Sequence, residues 1–218
     1  MFQLQGSLKI VNTKLFDEAV SKDFAEQASR NSSKIASIVS KEIGGMIREA
    51  IYNSPTTISL LRSSLRDDFG VTSSEVESAM RRIVEYIASA VLVSVNKKGK
   101  YASVRVDIIK AEDMTKIAAL PEGSRQEKGG AVPWLYWLLT RGTQVVVGDF
   151  WLYPYAKGRT RSGGTKIMRR IEGTKRDPFR VDPTHAGNLE NNFITRAIEN
   201  KADDILNSVA NAMIGVFK

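Results

Sequence analysis

The apolar residues of this chain change period partway along, and that change limits the fold more than any single motif does. Phe16, Val20, Phe24 and Ala28, then Ile35, Val39, Ile43, Met46, Ile47, Ala50 and Ile51, recur at helical spacing along one face. The polar stretch 29–34 interrupts the series, so one long amphipathic helix and two in series are both open. From Val91 the period becomes two. Val91, Val93 and Val95 alternate before the turn NKKG (96–99), and Val104, Val106 and Ile108 alternate after it. Two β-branched runs around a Gly-ended turn predict a hairpin. The helical period returns in Leu189, Phe193, Ala197, Ile205, Val209 and Met213, with Asn188 placed to cap a helix running to about Ala212. This order predicts an α+β fold, in which a long N-terminal amphipathic helix and a C-terminal helix pack on a small antiparallel sheet.

Local signals fill in the rest. Residues 2–11 alternate weakly, as a first strand would, and Asn12 or Thr13 can cap the helix that follows. Pro55 disfavours the α region at Ser54 and ends the long helix. A short helix or extended arm then runs to Gly70, and Ser74 with Glu77 has the spacing of a capping box for the next helix. Residues 111–130 begin as a short helix and end as a polar loop. Pro133 and Gly142 bracket WLYWLLTR as a first helical residue and a terminator. Residues 143–155 read as strand, Gly break, strand.

With 218 residues the chain can bury a sizeable core, and residues 1–218 are expected to form a single α+β domain. There are no cysteines, which excludes disulfides and thiolate metal sites. The N-terminus MFQLQGSLKIV lacks the basic and apolar regions of a signal peptide. No apolar run reaches the roughly 18 residues of a membrane helix. The expectation is a soluble protein, cytoplasmic at synthesis, without membrane association.

Charge is more informative by location than by amount. The chain carries a net +8, and from Lys157 to Arg180 nine Lys and Arg face Glu172 and Asp177, a local +7 that leaves about +1 elsewhere. The Gly-rich segment 157–180 is therefore expected to project as a basic loop or extended hairpin. Its candidate contact residues are Lys157, Arg159, Arg161, Lys166, Arg169, Arg170, Lys175 and Arg176. Such a run suits an anionic partner, whether nucleic acid, an acidic protein face or a membrane surface. A solvated loop accounts for the same composition. Directly before it lie Trp134, Trp137, Trp151, Tyr153 and Tyr155, candidates for core or for a subunit interface. Base stacking needs rings interleaved with cations, whereas here the two are segregated along the chain.

Signatures of catalysis are weak. His185 is the one histidine and sits in the turn-rich VDPTHAGN, where a surface or capping role is expected. GRTRSGGTK (158–166) departs from the phosphate-loop pattern at residue 164, a Gly where Lys belongs. Asp67 with Asp68, and Asp203 with Asp204, are helix neighbours whose side chains diverge, so solvated faces are expected. Glu199 and Lys201 have E-x-K nuclease spacing but fall inside a predicted helix. No enzyme activity, metal or cofactor is expected.

Three segments, in order, resemble the tail-completion, or head–tail joining, proteins of tailed bacteriophages (minor tail protein Z and its relatives). Ser54-Pro55 with Leu61, Ser64 and Leu65 is similar to the family's SP-x-x-TG-x-L-x-x-S segment. WLYWLLTRGT (134–143) resembles its aromatic helix ending in E-x-GT, with Arg141 at the acid's place. Asp177-Pro178-Phe179, followed by Pro183 and a terminal amphipathic helix, resembles its RPFLRPA ending. The resemblance spans residues 15 to 214. It implies a structural virion protein, commonly a hexameric ring between neck and tail tube, with genomic DNA passing through the lumen. Its partners would be further copies of itself and the neighbouring connector and tail-tube or tail-terminator proteins. A nucleic-acid-binding module that uses 157–180 for phosphate contacts is the alternative function.

Overall fold

The computed structural model describes residues 2–7, 16–62, 64–99, 101–127, 130–141, 150–154, 160, 166–170 and 181–215. They form an α+β fold, and the chain divides into two compact units: 1–48, 87–110 and 199–218 in the first, 49–86 and 111–198 in the second.

In the first unit a three-stranded antiparallel sheet has the order β1-β3-β2, with β1 at Phe2–Ser7, β2 at Leu92–Lys98 and β3 at Tyr101–Ile109. Strands β2 and β3 pair from Leu92↔Asp107 to Lys98↔Tyr101. The pairing runs on through Asn96, Lys97 and Lys98, so of the expected NKKG turn only Gly99 lies beyond the strand. Gly99 has φ 62°, a left-handed conformation that a tight hairpin turn requires and glycine adopts without strain. Alternation in β3 buries Ala102, Val104, Val106 and Ile108. Helix α1 (Phe16–Arg30) packs against β2 and β3. Asn31 separates it from α2 (Ser32–Tyr52), so the apolar series is two helices in succession. The cap expected at Asn12 or Thr13 lies outside the described residues. Ala28, Ile35, Val39, Ile43 and Ile47 are buried, as the helical period predicts, whereas Val20 is exposed and Phe24 and Met46 are half-buried, because the buried face of α1 runs through Ala25 and Ala28.

In the second unit, α3 (Pro55–Arg62) has proline as its first residue, where a missing N–H costs nothing. Helix α4 (Ser64–Phe69) ends at Gly70, φ 64°. Helix α5 (Ser73–Ala90) starts in this unit with a capping box two residues earlier than the expected Ser74–Glu77. Thr72 N donates to Glu75 Oε2 at 2.7 Å, and Glu75 N donates to Thr72 Oγ1 at 3.3 Å. Helix α6 (Ala111–Ala118) leads to a 3-10 turn, Pro121–Gly123. A small hairpin of β4 (Arg125–Glu127) and β5 (Gly130–Val132) follows in what the sequence suggests is loop. Helix α7 (Trp134–Thr140) begins after Pro133, which occupies the cap and not the first helical position.

The expected C-terminal helix from Leu189 is interrupted. Asn188 Oδ1 accepts from Glu190 N and Asn191 N, forming a turn. The cap is Asn192, whose Oδ1 accepts from Ile194 N at 3.0 Å and Thr195 N at 3.2 Å. Helix α8 (Phe193–Glu199) closes the second unit. Helix α9 (Ala202–Gly215) belongs to the first, where it contacts β1 and Ser208 Oγ donates to Glu42 Oε2.

Candidate functional site

The aromatic and basic segments are separated along the chain and paired in space. Strand β6 (Phe150–Pro154) runs antiparallel to β7 (Lys166–Arg170), with Phe150↔Arg170, Trp151↔Arg169, Leu152↔Met168, Tyr153↔Ile167 and Pro154↔Lys166 in register. An aromatic strand thus lies beside a basic one; of the segment 157–180 only Thr160 and 166–170 are among the described residues, and 166–170 is a strand paired with residues before the segment.

The hairpin is anchored through β7. Gly70 passes so close to it that a Cβ there would stand 2.5 Å from Ile167 Cγ1. Beside it, Arg125 is 2% exposed and its Nη2 donates to the Met168 carbonyl at 2.7 Å. Ile167 and Met168 are buried, while Arg169, next in the strand, is exposed. The strand therefore fixes its middle in the core and carries a cation to the surface one residue later.

Of the candidate contact residues, Lys166, Arg169 and Arg170 lie together on β7. Lys157, Arg159, Arg161, Lys175 and Arg176 lie outside the described residues. Of the aromatic candidates, Trp134 and Trp137 are core, 1% and 5% exposed. Both rings tilt against Phe69, with centroids 6.4 Å and 6.3 Å away. Trp151 and Tyr153 are on β6, Tyr153 half-buried, and Tyr155 lies outside the described residues. The outward aromatic of α7 is Tyr136, over which the Arg141 guanidinium sits 5.7 Å from the ring centroid. Arg125 and Phe69 support the site without any strong local signal, the first in a polar run and the second as one apolar residue among many.

His185 is half-buried, and its Nδ1 lies 3.1 Å from Thr56 Oγ1. Burial holds the imidazole below the ordinary histidine range. The Asp182 carboxylate opposes that shift and Arg196 reinforces it. Asp182 Oδ1 accepts from Thr184 N at 2.8 Å, closing its own turn. Thr56 is 2% exposed, so this is a packing lock between α3 and the 181–192 turn. Of the acidic pairs, Asp203 and Asp204 are exposed, with Asp204 paired to Lys201 at 3.0 Å, whereas Asp67 and Asp68 are half-buried, with Asp67 paired to Arg66 at 3.3 Å. Glu199 ends α8 and Lys201 lies in the break after it, not inside one helix.

Among the described residues no three His, Asp or Glu side chains gather as metal ligands, and no helix is long and apolar enough to cross a membrane. Comparison with protein-family models, with curated proteins and with solved structures finds no match to this chain.

Proposed function

We propose that this chain is a structural protein of the bacteriophage virion, forming a ring, in the hexameric pattern of the proteins it resembles, at the neck between DNA-filled head and tail. It carries out no catalysis. It assembles in the host cytoplasm and ends in the virion, contacting copies of itself, the adjoining connector and tail-tube or tail-terminator proteins, and the genomic DNA in the lumen.

The observation that carries this reading is the β6–β7 pair. It sets Phe150 and Trp151 against Arg170 and Arg169 on a hairpin whose root is fixed by buried Ile167 and Met168. A rooted hairpin combining aromatics and guanidinium groups has the composition of interface hot spots. Trp134 and Trp137, held in the core against Phe69, supply the stiff body beneath it.

Two measurements test it. Light scattering at low and high salt should give a closed oligomer that persists at high salt. A Lys166→Glu, Arg169→Glu, Arg170→Glu variant should fold as the native chain does and fail to join heads to tails in a complementation assay. Infectious particles formed with that variant would overturn the role given to the hairpin.

The exposed Arg169 also suits the alternative, a nucleic-acid-binding module. Phosphate binding by the hairpin would weaken steeply with ionic strength, whereas an aromatic ring interface would not.

A further inference from the structure

Helix α2 carries a second cationic surface, in the first unit and far in sequence from the hairpin. Lys34, Lys41 and Arg48 are all exposed, and they are spaced seven residues apart. Seven helical residues are nearly two full turns and advance about 10.5 Å, so the three cations form one row about 21 Å long. The row lies opposite the buried face made by Val39, Ile43 and Ile47. Ser37 and Gly45 fill the positions between the cations, and both are exposed. None of the three cations has an ion-pair or hydrogen-bond partner among the described residues.

Gly45 sharpens the argument. A glycine in a helix interior is destabilising, and a Cβ at Gly45 would meet nothing within 4 Å. Packing within the described residues therefore does not account for it. Its position, between Lys41 and Arg48 at the apex of the row, leaves the helix backbone open to close approach from outside.

We infer that the solvent face of α2 is a phosphate-contacting surface for duplex nucleic acid, with Lys34, Lys41 and Arg48 as its cations and Gly45 as its point of closest approach. Ser37 and Gly45 are the small residues of the row, half-buried Ile38 and the exposed acids Glu42 and Glu49 border it, and no exposed large apolar side chain stands in it as the anchor a protein interface centres on. A row of cations interleaved with a hydroxyl and an open backbone suits sequence-independent backbone contacts. The repeat of about 10.5 Å also matches about three nucleotides of rise along one strand of B-DNA. Glu42, which borders the row, accepts the hydrogen bond from Ser208. This surface does not depend on the hairpin or on the neck reading.

The test is fluorescence anisotropy of the full chain with a labelled 20-base-pair duplex, across a salt series. Three phosphate contacts correspond to a log–log salt slope of about 2.7, or on the order of a 40-fold loss of affinity between 50 and 200 mM salt. Replacing Lys34, Lys41 and Arg48 together by Gln should remove a slope of about that size and leave the circular dichroism spectrum unchanged. Gly45→Leu should weaken duplex binding several-fold while raising the melting temperature, a combination that damage to the fold would not produce. A triple variant with the native salt slope would overturn the inference. So would native protein that binds poly-glutamate as tightly as DNA, because the row would then serve an acidic protein. Loss of head–tail joining in the hairpin variant, with the α2 salt slope intact, separates the two proposals.

Discussion

Thr56 and His185 meet across 129 residues of chain, Oγ1 to Nδ1 at 3.1 Å, and tie the first turn of α3 to the turn before α8. Because burial depresses the imidazole's proton affinity, the folded protein binds that proton less readily than the unfolded chain does. Stability from this contact is therefore fully present above the unfolded value near 6.5 and is lost as pH falls below it, toward the lowered folded value. Thermal melts between pH 7.5 and 5 should show the melting temperature falling through this window. His185→Gln should flatten that part of the profile, and an unchanged slope would remove His185 as its source.

Gly70 and Ile167 are similarly linked. A side chain at Gly70 would need a left-handed backbone and would drive a methyl to within 2.5 Å of Ile167 Cγ1. Gly70→Ala should destabilise the protein by about 2–4 kcal/mol, combining backbone strain with overpacking. Trimming the opposing side chain in Gly70→Ala/Ile167→Ala should relieve the clash, so the double variant should lose less than the two single losses added. Urea denaturation of the four proteins measures the coupling.

Thr72 and Glu75 cap α5 reciprocally. Thr72→Ala should cost about 0.5–2 kcal/mol, whereas Ser74→Ala, at the second residue of the helix, should cost less. Equal losses at the two positions would move the cap back to the Ser74–Glu77 spacing.

Trp134 decides between core and contact surface. Trp134→Ala should cost about 3–5 kcal/mol in the isolated chain, as a large buried ring does. A variant of native stability that fails only in assembly would make Trp134 an interface residue.

Legibility followed the range of the forces involved. The β2–β3 hairpin was readable because alternation and a glycine turn act within a few residues, and α1 and α2 because their apolar face repeats many times. The break between α8 and α9 was not, since Leu189 to Met213 keeps its period across it. The start of α8 was equally hidden, since only the preference of Asn192 Oδ1 for the amides of Ile194 and Thr195 moves it from Leu189 to Phe193. The β4–β5 hairpin reads as loop because its strands are three residues each, one wholly polar and the other opening on Gly130. At the candidate site, the cationic residues stood out by composition. Their pairing with the aromatic strand was hidden, because segregation in sequence becomes apposition once a hairpin closes. The anchoring carbonyl bond from Arg125 spans 43 residues and leaves no local trace.

Val106 sits between two partners acquired at different distances, Val93 on one side and Leu4 on the other. The first pairing closes a short loop through a tight turn; the second must bring back a strand from about a hundred residues away, and loop-closure entropy grows with that separation. The two sides of β3 therefore have different histories although they share the same bonding. The β2 side can form early as a local hairpin. The β1 side waits for the intervening chain to collapse, making the N-terminal strand the late step in folding and the first to let go when the protein opens.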